Sequence, residues 1–96
     1  MRVEEDDELL IFRFSPFHSL KIYKKQEILE WEGRKIKFEE IIGYWKNYRR
    51  VRRKNVYYVV LLTSKRMAPI TPLLDEYDAD VVLKNLRRLI PREVKE

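Results

Sequence analysis

The fold class predicted for this chain is α+β: a seven-stranded antiparallel sheet, curled into a partly open barrel and capped by one C-terminal helix. Three observations predict it. Up to about Thr71, apolar and polar residues alternate at the two-residue period of strands. Turn-forming residues interrupt that stretch at short intervals, so consecutive strands pair as hairpins. From Ala79 to Ile90 the apolar spacing changes to three and four residues, the period of an amphipathic helix.

The elements follow in order. Leu9 to Phe14 is rich in β-branched and aromatic residues, and Ser15 and Pro16 stop it. Ser19 to Lys24 places Leu20 and Ile22 on one side and Lys21 and Tyr23 on the other, with Lys25 and Gln26 as its turn. Glu27 to Glu32 and Lys35 to Phe38 flank Glu32-Gly33-Arg34, where Gly33 supplies the positive φ of a tight hairpin and Ile36 and Phe38 point to the core. Ile41 to Arg53 begins apolar and becomes basic, and Val56 to Thr63 is an almost unbroken apolar run, placing the turn at Lys54 or Asn55. Ser64-Lys65-Arg66 turns into a short strand, Met67 to Thr71, which Pro69 assigns to an edge. The helix spans 78–90, with Asp78 as N-cap, Tyr77 and Val82 as a hydrophobic staple, Arg87 and Arg88 against the dipole and Pro91 as stop. A chain of 96 residues makes one domain, 1–96, with residues 1–8 and the last few frayed.

Composition removes several chemistries. Without cysteine there is no disulfide, thiolate nucleophile or cysteine-held zinc, so packing, backbone pairing and charge must supply stability. With 45% hydrophobic and 39% charged residues the chain is too apolar for disorder, and no uncharged run approaches the roughly 18 residues that cross a bilayer. The acidic start, Met1 to Glu8, lacks the basic-then-apolar order of a secretory signal, and a cytoplasmic protein is expected. Abundant charge, one glutamine, three asparagines and two glycines are a bias of proteins that work hot.

Net charge is +5, unevenly distributed. Glu4, Glu5, Asp6, Asp7 and Glu8 form an acidic run; Lys46, Arg49, Arg50, Arg52, Arg53 and Lys54 form a basic cluster that either pairs with it or faces a partner.

Seven strands followed by one helix, with Lys35-Ile-Lys-Phe-Glu-Glu-Ile-Ile-Gly43 ahead of an apolar strand and a helix ending in proline, resembles small bacterial and archaeal members of the pleckstrin-homology-like superfold. The resemblance runs from about Leu9 to Ile90. It implies a scaffold without catalytic motif that binds lipid head groups, peptides or other domains, and fold alone does not choose among them. Phosphoinositide-binding members grip phosphate with basic residues of the first strands and loops. Here Ser15-Pro16-Phe17-His18 lacks lysine and arginine, and the resemblance implies that Arg34, Lys35, Lys65 and Arg66 replace them if they converge.

The most distinctive stretch is Tyr44 to Lys54. As a strand it puts Tyr44, Lys46, Tyr48, Arg50 and Arg52 on one face, with Arg49, Arg53 and Lys54 alongside. Aromatic rings between cations stack bases while neutralising phosphates, the pattern of single-strand RNA binders; a solvated, internally paired hairpin and an acidic protein surface are the competing readings. Asp75, Glu76, Asp78 and Asp80 read as helix caps rather than a metal site, His18 as a loop residue, and Trp31 and Trp45 as sheet-covering residues. An enzyme would require carboxylates such as Glu39, Glu40 or Asp75 to converge in a pocket.

The expectation is therefore a noncatalytic binding module with no cofactor and no bound metal. Its partner is a protein or an anionic macromolecule, nucleic acid included, rather than a membrane surface, with self-association through unpaired strand edges as a further expectation. The compositional bias carries its own test: a thermal midpoint above roughly 65 °C is expected, and one within the mesophile range of roughly 45–65 °C removes the reading.

Overall fold

The structure, a computed structural model, describes residues 1–91, so the expected fraying after Pro91 lies outside the described residues. Eight strands form, not seven: β1 (Arg2–Glu5), β2 (Leu9–Ser15), β3 (His18–Tyr23), β4 (Ile28–Trp31), β5 (Arg34–Lys37), β6 (Ile41–Val51), β7 (Lys54–Thr63) and β8 (Met67–Pro69), followed by α1 (Glu76–Leu89). They make two antiparallel sheets, β1-β2-β3-β4-β5 and β6-β7-β8. Among the described residues no strand pair joins the sheets, which corrects the expected single curled sheet and partly open barrel. The cause is local. Phe38–Glu40 makes one 3₁₀ turn, fastened where the Lys37 amide donates to Glu40 Oε1 at 3.1 Å, and the chain leaves β5 in a new direction.

The eighth strand comes from the segment expected to fray. Val3 lies opposite Phe12 and Glu5 opposite Leu10, so β1 extends the first sheet at its edge. Alternating charges hold it there. Glu4 Oε2 accepts from Arg13 Nε at 3.0 Å and from Arg2 Nε at 2.9 Å, and Glu5 Oε2 lies 2.8 Å from Arg88 of α1. Lys24 at the end of β3 also reaches Glu5. Asp6 Oδ1 then accepts from the amides of Glu8 and Leu9, closing the β1–β2 turn.

One apolar cluster spans both sheets and the helix. Leu10, Phe12, Leu20, Ile22 and Leu29 come from the first sheet, Ile41, Tyr44, Val59 and Leu61 from the second, and Val82, Leu83, Leu86 and Ile90 from the C-terminal segment. Each fully buried aliphatic side chain there contributes roughly 1.5–3 kcal/mol by leaving water. The helix packs where expected but starts earlier: Asp75, not Asp78, is its N-cap, its side chain accepting from the Asp78 amide at 2.8 Å. The difference is one turn, because either aspartate suits the position and only the backbone φ and ψ of Asp75 are extended. At the other end, the Tyr44 hydroxyl donates to the Ile90 carbonyl, tying the close of α1 to β6.

Removing that hydroxyl with Tyr44→Phe leaves the ring in place and is expected to lower unfolding free energy by about 1 kcal/mol, read from the urea midpoint. The acidic run generates a pH dependence. Glu4 is held below its ordinary 4.5 by Arg13 and Arg2, Glu5 by Lys24 and Arg88, and Asp6 below 3.8 by the Glu8 and Leu9 amides. Carboxyls depressed in the folded state contribute stability above about pH 4.5 and lose it as pH falls through their folded values. Glu5→Gln should accordingly lower the melting midpoint by ~3 °C at pH 7, where the pairs are largely solvent-screened. At a pH that protonates Glu5, the two proteins should melt together.

Candidate nucleic-acid interface

β6 and β7 form the longest hairpin, paired from Ile41 opposite Thr63 to Val51 opposite Lys54. The turn is Arg52-Arg53, not Lys54 or Asn55, and both residues take positive φ, 51° and 66°. A two-residue turn of that kind matches the right-handed strand twist and normally recruits asparagine and glycine. Arginine there is strained, and the long ladder behind the turn holds the strain in place. The register shift at Ile41 and Gly43 sets which side chains point inward beyond it.

Opposed pairs share a face, so Tyr44, Lys46, Tyr48 and Arg50 lie with Leu61, Val59, Tyr57 and Asn55 on one side. That face is not uniformly available. Tyr44 is fully buried beneath the end of α1. Lys46 Nζ lies 2.8 Å from both Glu76 and Asp80 of the helix, which hold its pKa above the ordinary value, Asp80 most strongly, and it sits 5.4 Å from the centre of the Tyr57 ring. Two of the residues expected at the interface thus fasten the hairpin to the body. Nothing in the local sequence distinguishes Lys46 from the cations that follow it; its partners come from the first two turns of α1.

Beyond Lys46 the hairpin emerges from under the helix. Tyr48 is 61% exposed and lies 6.2 Å from the Tyr57 ring, tilted by 46°. Arg49, Arg50, Arg52, Arg53 and Lys54 are all exposed, and none has an acidic partner among the described residues. From Ile41 to Thr63 there is no Asp or Glu at all. The acidic run does not neutralise this cluster: Glu4, Glu5 and Glu8 pair with Arg2, Arg13, Lys24, Arg88 and Lys25. Of 21 basic and 16 acidic residues in the chain, the five at the tip leave 16 of each elsewhere. The whole formal excess of charge can therefore be assigned to one end of one hairpin.

The other expected residues divide. Arg34, Lys35, Lys65 and Arg66, distant in sequence, line one groove with Glu40 and Thr63. Asp75 caps α1, while Glu76 and Asp80 hold Lys46. His18 Nδ1 is 3.1 Å from Ser15 Oγ, and its ring lies 6.3 Å from that of Trp31. Tyr57 was not among the expected site residues; the observed register, set by a turn at Arg52-Arg53, is what brings its ring opposite Tyr48.

No helix among the described residues is long and apolar enough to cross a membrane. No protein-family model matches the chain, and comparisons with curated proteins and with solved structures find no match.

Proposed function

We propose that this protein is a noncatalytic binding module that holds single-stranded RNA along the free end of the β6–β7 hairpin. The carrying observation is the set of five exposed cations, Arg49, Arg50, Arg52, Arg53 and Lys54, none with an acidic partner among the described residues, next to the Tyr48–Tyr57 ring pair. Arg49 and Lys54 belong to one face and Arg50 to the other, with Arg52 and Arg53 at the apex, so charge surrounds the hairpin instead of coating one side. A flexible phosphate chain wraps such an arm, whereas a flat acidic protein surface meets only one of its faces. Tyr48 offers a ring for an unstacked base, a contact that tolerates any sequence. The strained Arg52-Arg53 turn supports the same reading, since glycine would fit the backbone better but would carry no charge.

Binding to a fluorescent 12-nucleotide uridine RNA should weaken steeply with salt. If all five cations meet phosphates, log affinity falls against log salt with a slope of about −3.5. Arg50→Glu with Arg52→Glu should abolish binding, and Tyr48→Ala should weaken it roughly 5- to 150-fold. Arg53→Gly should stabilise the fold by about 1 kcal/mol while reducing both affinity and salt slope. Binding that survives the double charge reversal would place the site elsewhere. Equal affinity for polyglutamate would assign the arm to acidic protein surfaces.

A further inference from the structure

The open side of the fold, between the first sheet and β8, contains a cleft of about 510 Å³ that the hairpin reading leaves unused. Leu61 in its wall stands seven residues along β7 from Lys54, roughly 23 Å at 3.3 Å per residue, so this space is separate from the basic tip. Its volume is within the roughly 300–1,000 Å³ of small-molecule sites.

The walls and the mouth differ in chemistry. The half-buried Trp31, Ile36, Ala68 and Pro72 supply the apolar surface, with the buried Leu61 and Ile70 as the floor beneath them. Two threonines also line the cleft, and both hydroxyls are already engaged. Thr71 Oγ1 accepts from the Val59 amide at 3.1 Å and donates to the Pro72 carbonyl at 2.9 Å. Thr63 Oγ1 donates to the Arg66 carbonyl and accepts from the Lys65 and Arg66 amides. With those hydroxyls committed, the wall favours hydrocarbon over a sugar or a base.

The mouth is charged and mainly cationic: its two arginines, Arg34 and Arg66, outnumber one carboxylate, that of Glu32, which lies 3.9 Å from His18 Nε2. Arg34 and Arg66 line both the cleft and the adjoining shallow groove, where Lys35 and Lys65 join them. Arg34 and Arg66 are exposed and have no acidic partner among the described residues, while Lys65 lies 3.9 Å from Glu40. Two tight turns deliver the arginines. Arg34 follows Glu32-Gly33, both at positive φ, and Arg66 closes the turn organised by Thr63. Their backbones are thus fixed before any ligand arrives.

We propose that this cleft binds a free medium-chain carboxylate, with its hydrocarbon chain against Trp31, Ile36, Leu61 and Ile70 and its carboxylate between Arg34 and Arg66. Planar guanidinium groups match a carboxylate's two oxygens, and each methylene that leaves water strengthens binding of the chain. The site stands independently of the RNA reading.

Trp31 reports on occupancy. In a Trp45→Phe background it is the sole tryptophan, and decanoate below its micellar concentration should change its fluorescence saturably. Decanol, which has the same chain without the charge, should bind at least tenfold more weakly. Arg34→Gln with Arg66→Gln should weaken decanoate at least tenfold without moving the melting midpoint or RNA affinity, because both side chains are exposed. The same titration by NMR on the unsubstituted chain should shift the Trp31 indole and the Ile36 and Leu61 methyls. The proposal is overturned by the absence of a saturable response, by decanol matching decanoate, by a double variant that binds normally, or by association only with vesicles of anionic phospholipid.

Discussion

Since no strand pair joins the two sheets, their association depends on side-chain burial, and the helix is the element that makes this sufficient. Val82, Leu83, Leu86 and Ile90 close the gap over residues contributed by both sheets. Backbone hydrogen bonds hold each sheet together but are indifferent to how one sheet meets the other. The hydroxyl of Tyr44 adds direction to the burial, because a helix resting on an apolar surface can slide, whereas one whose terminal carbonyl is held by β6 cannot do so freely.

Charge is distributed by the same architecture. The acidic run is used within the molecule: Glu4 and Glu5 fasten β1 to β2, to the end of β3 and to α1. Glu76 and Asp80, in the first two turns of α1, take up Lys46. Those commitments leave the hairpin tip uncompensated, and its repulsions are tolerated only because the arm stands away from the body into water, where neighbouring charges are screened. A fold seeking stability alone would put glycine in the turn and acids on the opposite strand. Strain and concentrated charge therefore coincide at Arg52-Arg53, the combination on which the proposed RNA site rests.

The two sites therefore differ physically. At the hairpin, concentrated positive charge adjoins the exposed Tyr48 ring, the features on which the proposed polyanion site rests. At the cleft, apolar walls meet two guanidinium groups on rigid turns, which suits a small ligand with one charged end. The charged residues of both sites are exposed and can be altered without unfolding the protein, whereas Leu61 and Ile70 of the cleft also belong to the core cluster.

Much of this was legible in the residues. Alternation placed β2, β3, β6 and β7 within a few residues of their observed bounds, Gly33 marked its hairpin, and the helical spacing placed α1. The unpartnered basic stretch was visible as composition. What linear pattern could not show was anything requiring one segment to meet another. Arg2–Glu5 looked like a charged tail because its strand character lies in Arg13, Lys24 and Arg88. Tyr44 and Lys46 looked like members of the binding face until α1 covered one and neutralised the other. Period and propensity are local properties, carried by each segment alone; burial, ion pairing and the meeting of Arg34 with Arg66 at one mouth depend on distances that only the folded chain sets.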